Sequence, residues 1–168
     1  PPRSTLSSSS AASDVYKRQV IVTTPQDVAL LDSRKSITFA NSLKVDVIGV
    51  IENMSGYTVR GKAPSGTEIE LAAPGGKTVR VTADDEGHWS GTLDIFKSGG
   101  GEKTAEEFGV PFLGKLPFDP GFVRGGDDGV HRIVSEPDGP ASLAFAEVVA
   151  QIQSKVESGS TDSGLEII

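Results

Sequence analysis

The chain is 168 residues long and 36% apolar, which suits a single domain with a modest core. Its 20 glycines and 10 prolines make up about 18% of the sequence, above the usual share and below the range that marks disorder, so a folded chain with many turns is expected. The net charge of −7 argues against non-specific nucleic-acid binding, which needs clustered Lys and Arg. The absence of cysteine excludes disulfides, thiolate nucleophiles and Cys-ligated zinc or iron-sulfur centres built from this chain alone. No stretch has the length of a membrane span and the N-terminus lacks the apolar core of a secretory signal, so a cytoplasmic protein without membrane partners is expected.

Residues 1–19 (PPRSTLSSSSAASDVYKRQ) show no helical or strand periodicity and read as a disordered leader. The run SSSAASDVYKRQ also looks like a translated sequencing-adapter remnant, so this leader is expected to be non-native. Val20 to Thr23 then reads as a strand. Thr24-Pro25-Gln26-Asp27 fits a helix start with Thr24 as N-cap, and the helix runs to about Leu43 on a stripe of Leu30, Ile37, Ala40 and Leu43. Val45 to Ile51 is a nearly continuous apolar run, as expected of a strand covered on both faces. Strand, helix and strand together predict a right-handed βαβ unit.

Residues 57–96 have a different texture. Thr67 to Leu71, Lys77 to Ala83 and His88 to Phe96 are separated by the turn signals Pro74-Gly75-Gly76 and Asp84-Asp85-Glu86-Gly87, which predicts an inserted small antiparallel meander. Val79 and Val81 alternate with Thr78, Arg80 and Thr82, so one of its faces is apolar. After the insert, Gly99-Gly100-Gly101 leads into a helix that ends at Gly109, followed by a strand from Phe112 to Leu116. Asp119-Pro120 caps a brief helix. Asp138-Gly139-Pro140 opens a terminal helix with Phe145, Val149, Ile152 and Val156 at helical spacing, and residues 158–168 read as a flexible tail.

Most candidate motifs reduce to turns. Gly75-Gly76-Lys77-Thr78 resembles the end of a phosphate-binding loop, but the first glycine of that motif would fall at Leu71, and a strand follows where a helix must open. Gly99-Gly100-Gly101 precedes a helix and has free N–H groups for an anion, but Glu102 would compete with a phosphate there, which favours a flexible helix start. His88 and His131 have no partner at a ligand spacing. Asp84-Asp85-Glu86 reads as a solvated turn, and Asp127-Asp128 lacks the repeated spacing of a calcium loop. Glu52-Asn53-Met54-Ser55 is more informative, because it follows a buried strand at its carboxyl end, where open α/β sheets bind ligands. Asn53 there can offer a donor and an acceptor to a purine edge, or simply start a turn.

Four ordered stretches, VIVTTPQDVALLD (20–32), GVIENMSG (49–56), SGGGEKTAEEFGVPFLGKLPFDP (98–120) and the later GGDDG, resemble the C-terminal half of the Mrp-type ATPases. These iron-sulfur cluster carriers belong to the deviant P-loop class that includes MinD and ParA. The resemblance implies an α/β chain carrying part of a three-layer P-loop NTPase-like fold, with a mostly parallel sheet over 20–157. It also implies ATP with Mg2+, a [4Fe-4S] cluster as cargo, a homodimer, and acceptor apoproteins as partners. By the same resemblance, Asn53 corresponds to the asparagine that contacts adenine, and Pro117 and Asp119 to the loop that closes over the base. The sequence departs from the family in two ways. Nothing matches the phosphate-binding and metal-binding segments, so this chain alone is not expected to hydrolyse ATP. The usual Cys-x-x-Cys is also missing, and its place after ENMS is taken by Tyr57 to Lys62 and the insert. The alternative reading is a non-enzymatic interaction module that binds a partner through the apolar face or strand edge of the insert.

Overall fold

A computed structural model describes residues 18–160; the expected leader up to residue 17 and the tail from residue 161 lie outside the described residues. The first strand, β1 (Arg18–Thr23), starts two residues inside the stretch read as leader. It pairs in parallel with β2 (Asp46–Lys62), and helix α1 (Asp27–Ser42) forms the crossover between them. Helix α1 begins later than expected and has Gln26, not Thr24, at its N-cap. Gln26 is extended (φ −79°, ψ 138°) ahead of the first helical turn, Pro25 is fully buried, and Thr24 donates its hydroxyl to Gln26 Oε1 at 3.1 Å.

β2 organises the molecule. Its first half pairs with β1 on one side and with β6 (Phe112–Phe118), also parallel, on the other. Opposite β1, Gln19 faces Val47 while Val20 faces Gly49, which leaves Ile48 as an extra residue. Such a bulge resets the alternation of faces. Val47 and Val50 accordingly pack with Ile21, Ile37, Ala40 and Ala105, whereas Ile48 and Ile51 pack with Leu113, Val148 and Ile152. The first cluster lies under α1 and α2 (Gly100–Phe108). The second lies under α5 (Pro140–Ser160), so helices cover both faces of a mostly parallel sheet. The two shorter helices α3 (Pro120–Asp128) and α4 (Arg132–Ser135) connect β6 to α5.

Of the expected stripe of α5, Ile152 packs with the second cluster and Phe145 is half-buried, but the most buried apolar position is Val148. Val148 is 3% exposed, whereas Val149 is 37% and Val156 36% exposed. Gly114 on β6 has no side chain where Val148 packs; a Cβ there would sit 2.9 Å from Val148 Cγ2.

The insert is antiparallel, as expected, but its strands are divided between two sheets. β3 (Glu68–Ala72) pairs with β4 (Thr78–Thr82) as an isolated hairpin. β5 (His88–Leu93) pairs instead with Tyr57 to Lys62 of β2, which runs straight out of the parallel sheet into the insert. The apolar face of the hairpin closes on β5: a Cβ on Gly91 would lie 2.5 Å from Leu71 Cδ1 and 3.1 Å from Val81 Cγ1. That face therefore packs against β5 within the insert, with Leu71, Val79 and Val81 half-buried.

Candidate functional site

Where the pairing of β2 with β1 ends, the alternation of β2 sends two adjacent residues, Glu52 and Asn53, to opposite layers. Glu52 turns toward α2 and is completely buried. Its Oε1 accepts hydrogen bonds from Ser55 Oγ at 2.5 Å and Gly99 N at 3.0 Å, and its Oε2 accepts one from Gly101 N at 2.7 Å. The triple glycine does hold an anion at a helix N-terminus, and that anion is the chain's own glutamate, not a phosphate. Burial pushes the Glu52 carboxyl up, but the hydrogen bonds from Ser55, Gly99 and Gly101 and the nearby Lys115 charge outweigh it, holding it below the ordinary value of 4.5. Gly101 packs against the carboxylate stem, where a Cβ would meet Glu52 Cβ at 2.9 Å.

Asn53 turns the other way. Its Oδ1 accepts from Met54 N at 2.9 Å, leaving one oxygen lone pair and both amide N–H groups for a ligand. Between Asn53 and Tyr57 the strand bulges: these residues face Leu116 and Phe118 of β6, so β2 has two more residues than its partner. Met54 takes φ 56° and Gly56 φ 86° within the bulge, and Met54 is left at the rim, 37% exposed.

Asn53 opens into a cavity of about 350 Å3 lined by Met54, Leu116, Pro117, Phe118, Asp119, Phe122, Val123, Ala141 and Phe145 as well. Asn53, Pro117 and Asp119, singled out from the sequence, are thus brought to one cavity at the carboxyl ends of two parallel strands, where such sheets bind ligands. The walls are largely aromatic and aliphatic; the Phe122 and Phe145 rings are 6.2 Å apart with a 30° tilt. Sequence reasoning missed Phe122, and it placed Phe145 in the core stripe of α5. The signal available for Phe122 was its position two residues after the Asp119-Pro120 cap, in the first turn of a helix that must lie over the strand end.

The Asp119 carboxylate is already engaged. Its Oδ1 caps α3 by accepting from Gly121 N at 2.7 Å, and its Oδ2 accepts from Arg132 Nε at 3.1 Å. Asp119 therefore contributes the position of α3 over the cavity and not a free carboxylate. Arg132 also pairs with Glu136, and Glu136 accepts from Arg60 Nη2 at 2.5 Å. A second, more polar cavity of about 310 Å3 lies on the far side of Pro117 to Asp119, beside Tyr57 to Arg60.

The other sequence candidates stay apart from this place. His88 lies near Asp84 and Glu86 in the turn before β5, and Gly75 and Gly76 form the open tip of the β3–β4 hairpin. No cluster of three or more His, Cys, Asp or Glu suited to a metal occurs among the described residues. With no cysteine in the sequence, these residues do not fit a thiolate-held cluster. No helix among the described residues is long and apolar enough to cross a membrane.

Comparison with known proteins agrees with this architecture. In a search of solved structures, the chain superposes on the MinD cell-division ATPase of Pyrococcus furiosus with a TM-score of 0.51 at 17% identity, covering 82% of this chain and 43% of that one. For the MinD protein of Pyrococcus horikoshii, solved with Mg-ADP, the values are 0.54, 16%, 88% and 44%. In sequence, it is 36% identical over 137 residues to an iron-sulfur cluster carrier protein of Synechocystis, spanning 82% of this chain and 31% of the relative. It is 34% identical over 140 residues to the cytosolic Fe-S cluster assembly factor NUBP2 of Bos taurus, spanning 83% and 42%. The chain thus spans about a third to two fifths of the length of these curated relatives. A family model described as NUBPL iron-transfer P-loop NTPase, of the ParA group, matches residues 4–78 and 81–153. The chain belongs to this family of ParA-type iron-transfer P-loop NTPases.

Proposed function

We propose that this chain is the base-holding part of an ATP-binding iron-sulfur cluster carrier, and that Asn53, Pro117 and Asp119 form its adenine site. The observation that carries the reading is their convergence on one apolar cavity at the strand ends. Asn53 offers donors and an acceptor to a purine edge, Pro117 and Phe122 offer faces for the ring, and Asp119 fixes the helix that closes the cavity. Among the described residues no cluster of His, Cys, Asp or Glu suits a metal ion, so the chain by itself is not proposed to hydrolyse ATP. The cluster is the cargo of the whole protein. Its ligands are proposed to lie outside this chain, as is the surface that meets acceptor apoproteins.

Met54 is the one methionine in the sequence and stands at the cavity rim, so a 13C-methyl label on it reports occupancy directly. Titration with ATP is expected to shift this signal to saturation. Asn53→Ala is expected to weaken the affinity about tenfold, since roughly one purine hydrogen bond is lost. An unmoved Met54 signal at millimolar ATP, or equal affinity in Asn53→Ala, would sink the adenine reading.

A further inference from the structure

The insert is fastened to the proposed adenine site by two polar linkages. The first is Glu52, whose carboxylate holds Ser55 on the outgoing stem and Gly99 and Gly101 on the returning one. The second is a run of charges from the cavity to the surface. Asp119 caps α3 and pairs with Arg132; Arg132 pairs with Glu136; Glu136 accepts from Arg60 on the β2 extension. Side-chain exposure rises along this run from 22% at Asp119 through 25% and 33% to 54% at Arg60. Its inner members are therefore less screened than an ordinary surface pair. Glu136 bridges two guanidinium groups, and charge-assisted contacts of this kind fix relative position better than a single long pair does.

The run ends beside the insert's aromatic anchor. Arg60 lies opposite Ser90 and Gly61 opposite Trp89, and a Cβ on Gly61 would meet the Trp89 ring at 2.5 Å. At the other end, α3 supplies Phe122 and Val123 to the cavity wall. Helix α3 thus lies between the two places: its Phe122 and Val123 line the cavity, and its N-cap Asp119 begins the run of charges.

We propose that Glu136 is a positioning residue that couples occupancy of the cavity to the 57–96 insert. This rests on the adenine reading above. The geometric basis is the unbroken run of charge pairs from Asp119 through Arg132 and Glu136 to Arg60.

The sequence contains one methionine and one tryptophan, so Met54 and Trp89 report the two ends separately. The full chain is titrated with ATP while the Met54 methyl signal and Trp89 emission are followed together. Both are expected to change with one midpoint. In Glu136→Gln and in Arg60→Met the Met54 shift should persist, with affinity weakened up to about fivefold, while the Trp89 response at saturation falls by more than half. A saturating Met54 shift with silent Trp89 in the native chain would overturn the coupling and leave the adenine reading intact. So would an undiminished Trp89 response in both variants, or loss of the Met54 shift in variants that remain folded by amide dispersion. A Met54 signal that ATP never moves would overturn both proposals.

Discussion

Glu52 and Asn53 are neighbours in sequence and do opposite work. Because side chains on a strand alternate, one is buried against the α2 N-terminus while the other faces the cavity. The buried carboxylate predicts an acid-sensitive fold. Glu52 titrates below its ordinary 4.5, so its stabilising contribution is fully present above that value and is lost as pH falls through the lower folded-state value. Chemical denaturation across this range should show stability flat near neutrality and declining on the acid side. Glu52→Gln places an amide N–H2 toward the backbone donors of Gly99 and Gly101, which should cost roughly 2–3 kcal/mol at neutral pH and flatten the acid decline. An unchanged acid profile in this variant would remove Glu52 as its source. The ENMS stretch was recognisable in the sequence as a strand end with ligand chemistry. The division of labour within it was not, because it depends on the bulge at Ile48 that sets which face each residue takes.

At the level of elements, what the sequence made legible was local. The start of β2, the Gly99 and Gly109 boundaries of α2 and the Asp119 cap of α3 all appear where short-range chemistry puts them, whereas β2 runs on to Lys62, past the expected end at Ile51. The departures came from contacts distant in sequence. Val148 and not Val149 of α5 is inside, against Gly114, and the β2 extension takes β5 as its hydrogen-bonded partner. The seating of the hairpin on Gly91 gives a test. Gly91→Val would press a branched side chain into Leu71 and Val81, an overpacking expected to cost about 1–3 kcal/mol. Hydrogen exchange should speed up at the β3–β4 amides while protection in β1, β2 and β6 is retained. Equal protection of the hairpin in this variant would show that its apolar face does not rest on β5.

At the scale of the whole molecule, the sheet is open. Among the described residues β1 pairs only with β2, and Val22 on it is 58% exposed. A parallel strand with one free edge and an uncovered apolar side chain favours edge association. The chain should therefore associate as concentration rises, and sedimentation velocity should show Val22→Lys shifting this toward monomer. Identical sedimentation of the two chains would place any association elsewhere. By itself the sequence determined the class of fold and the family, since each is written in short motifs and local periodicity. Only the tertiary structure decided that Asn53, Pro117 and Asp119 share one cavity, that the triple glycine is occupied by Glu52, and that Glu136 joins Asp119 to Arg60. These depend on strand register, on a one-residue bulge and on how helices seat over a sheet, and a linear pattern carries no record of such distances.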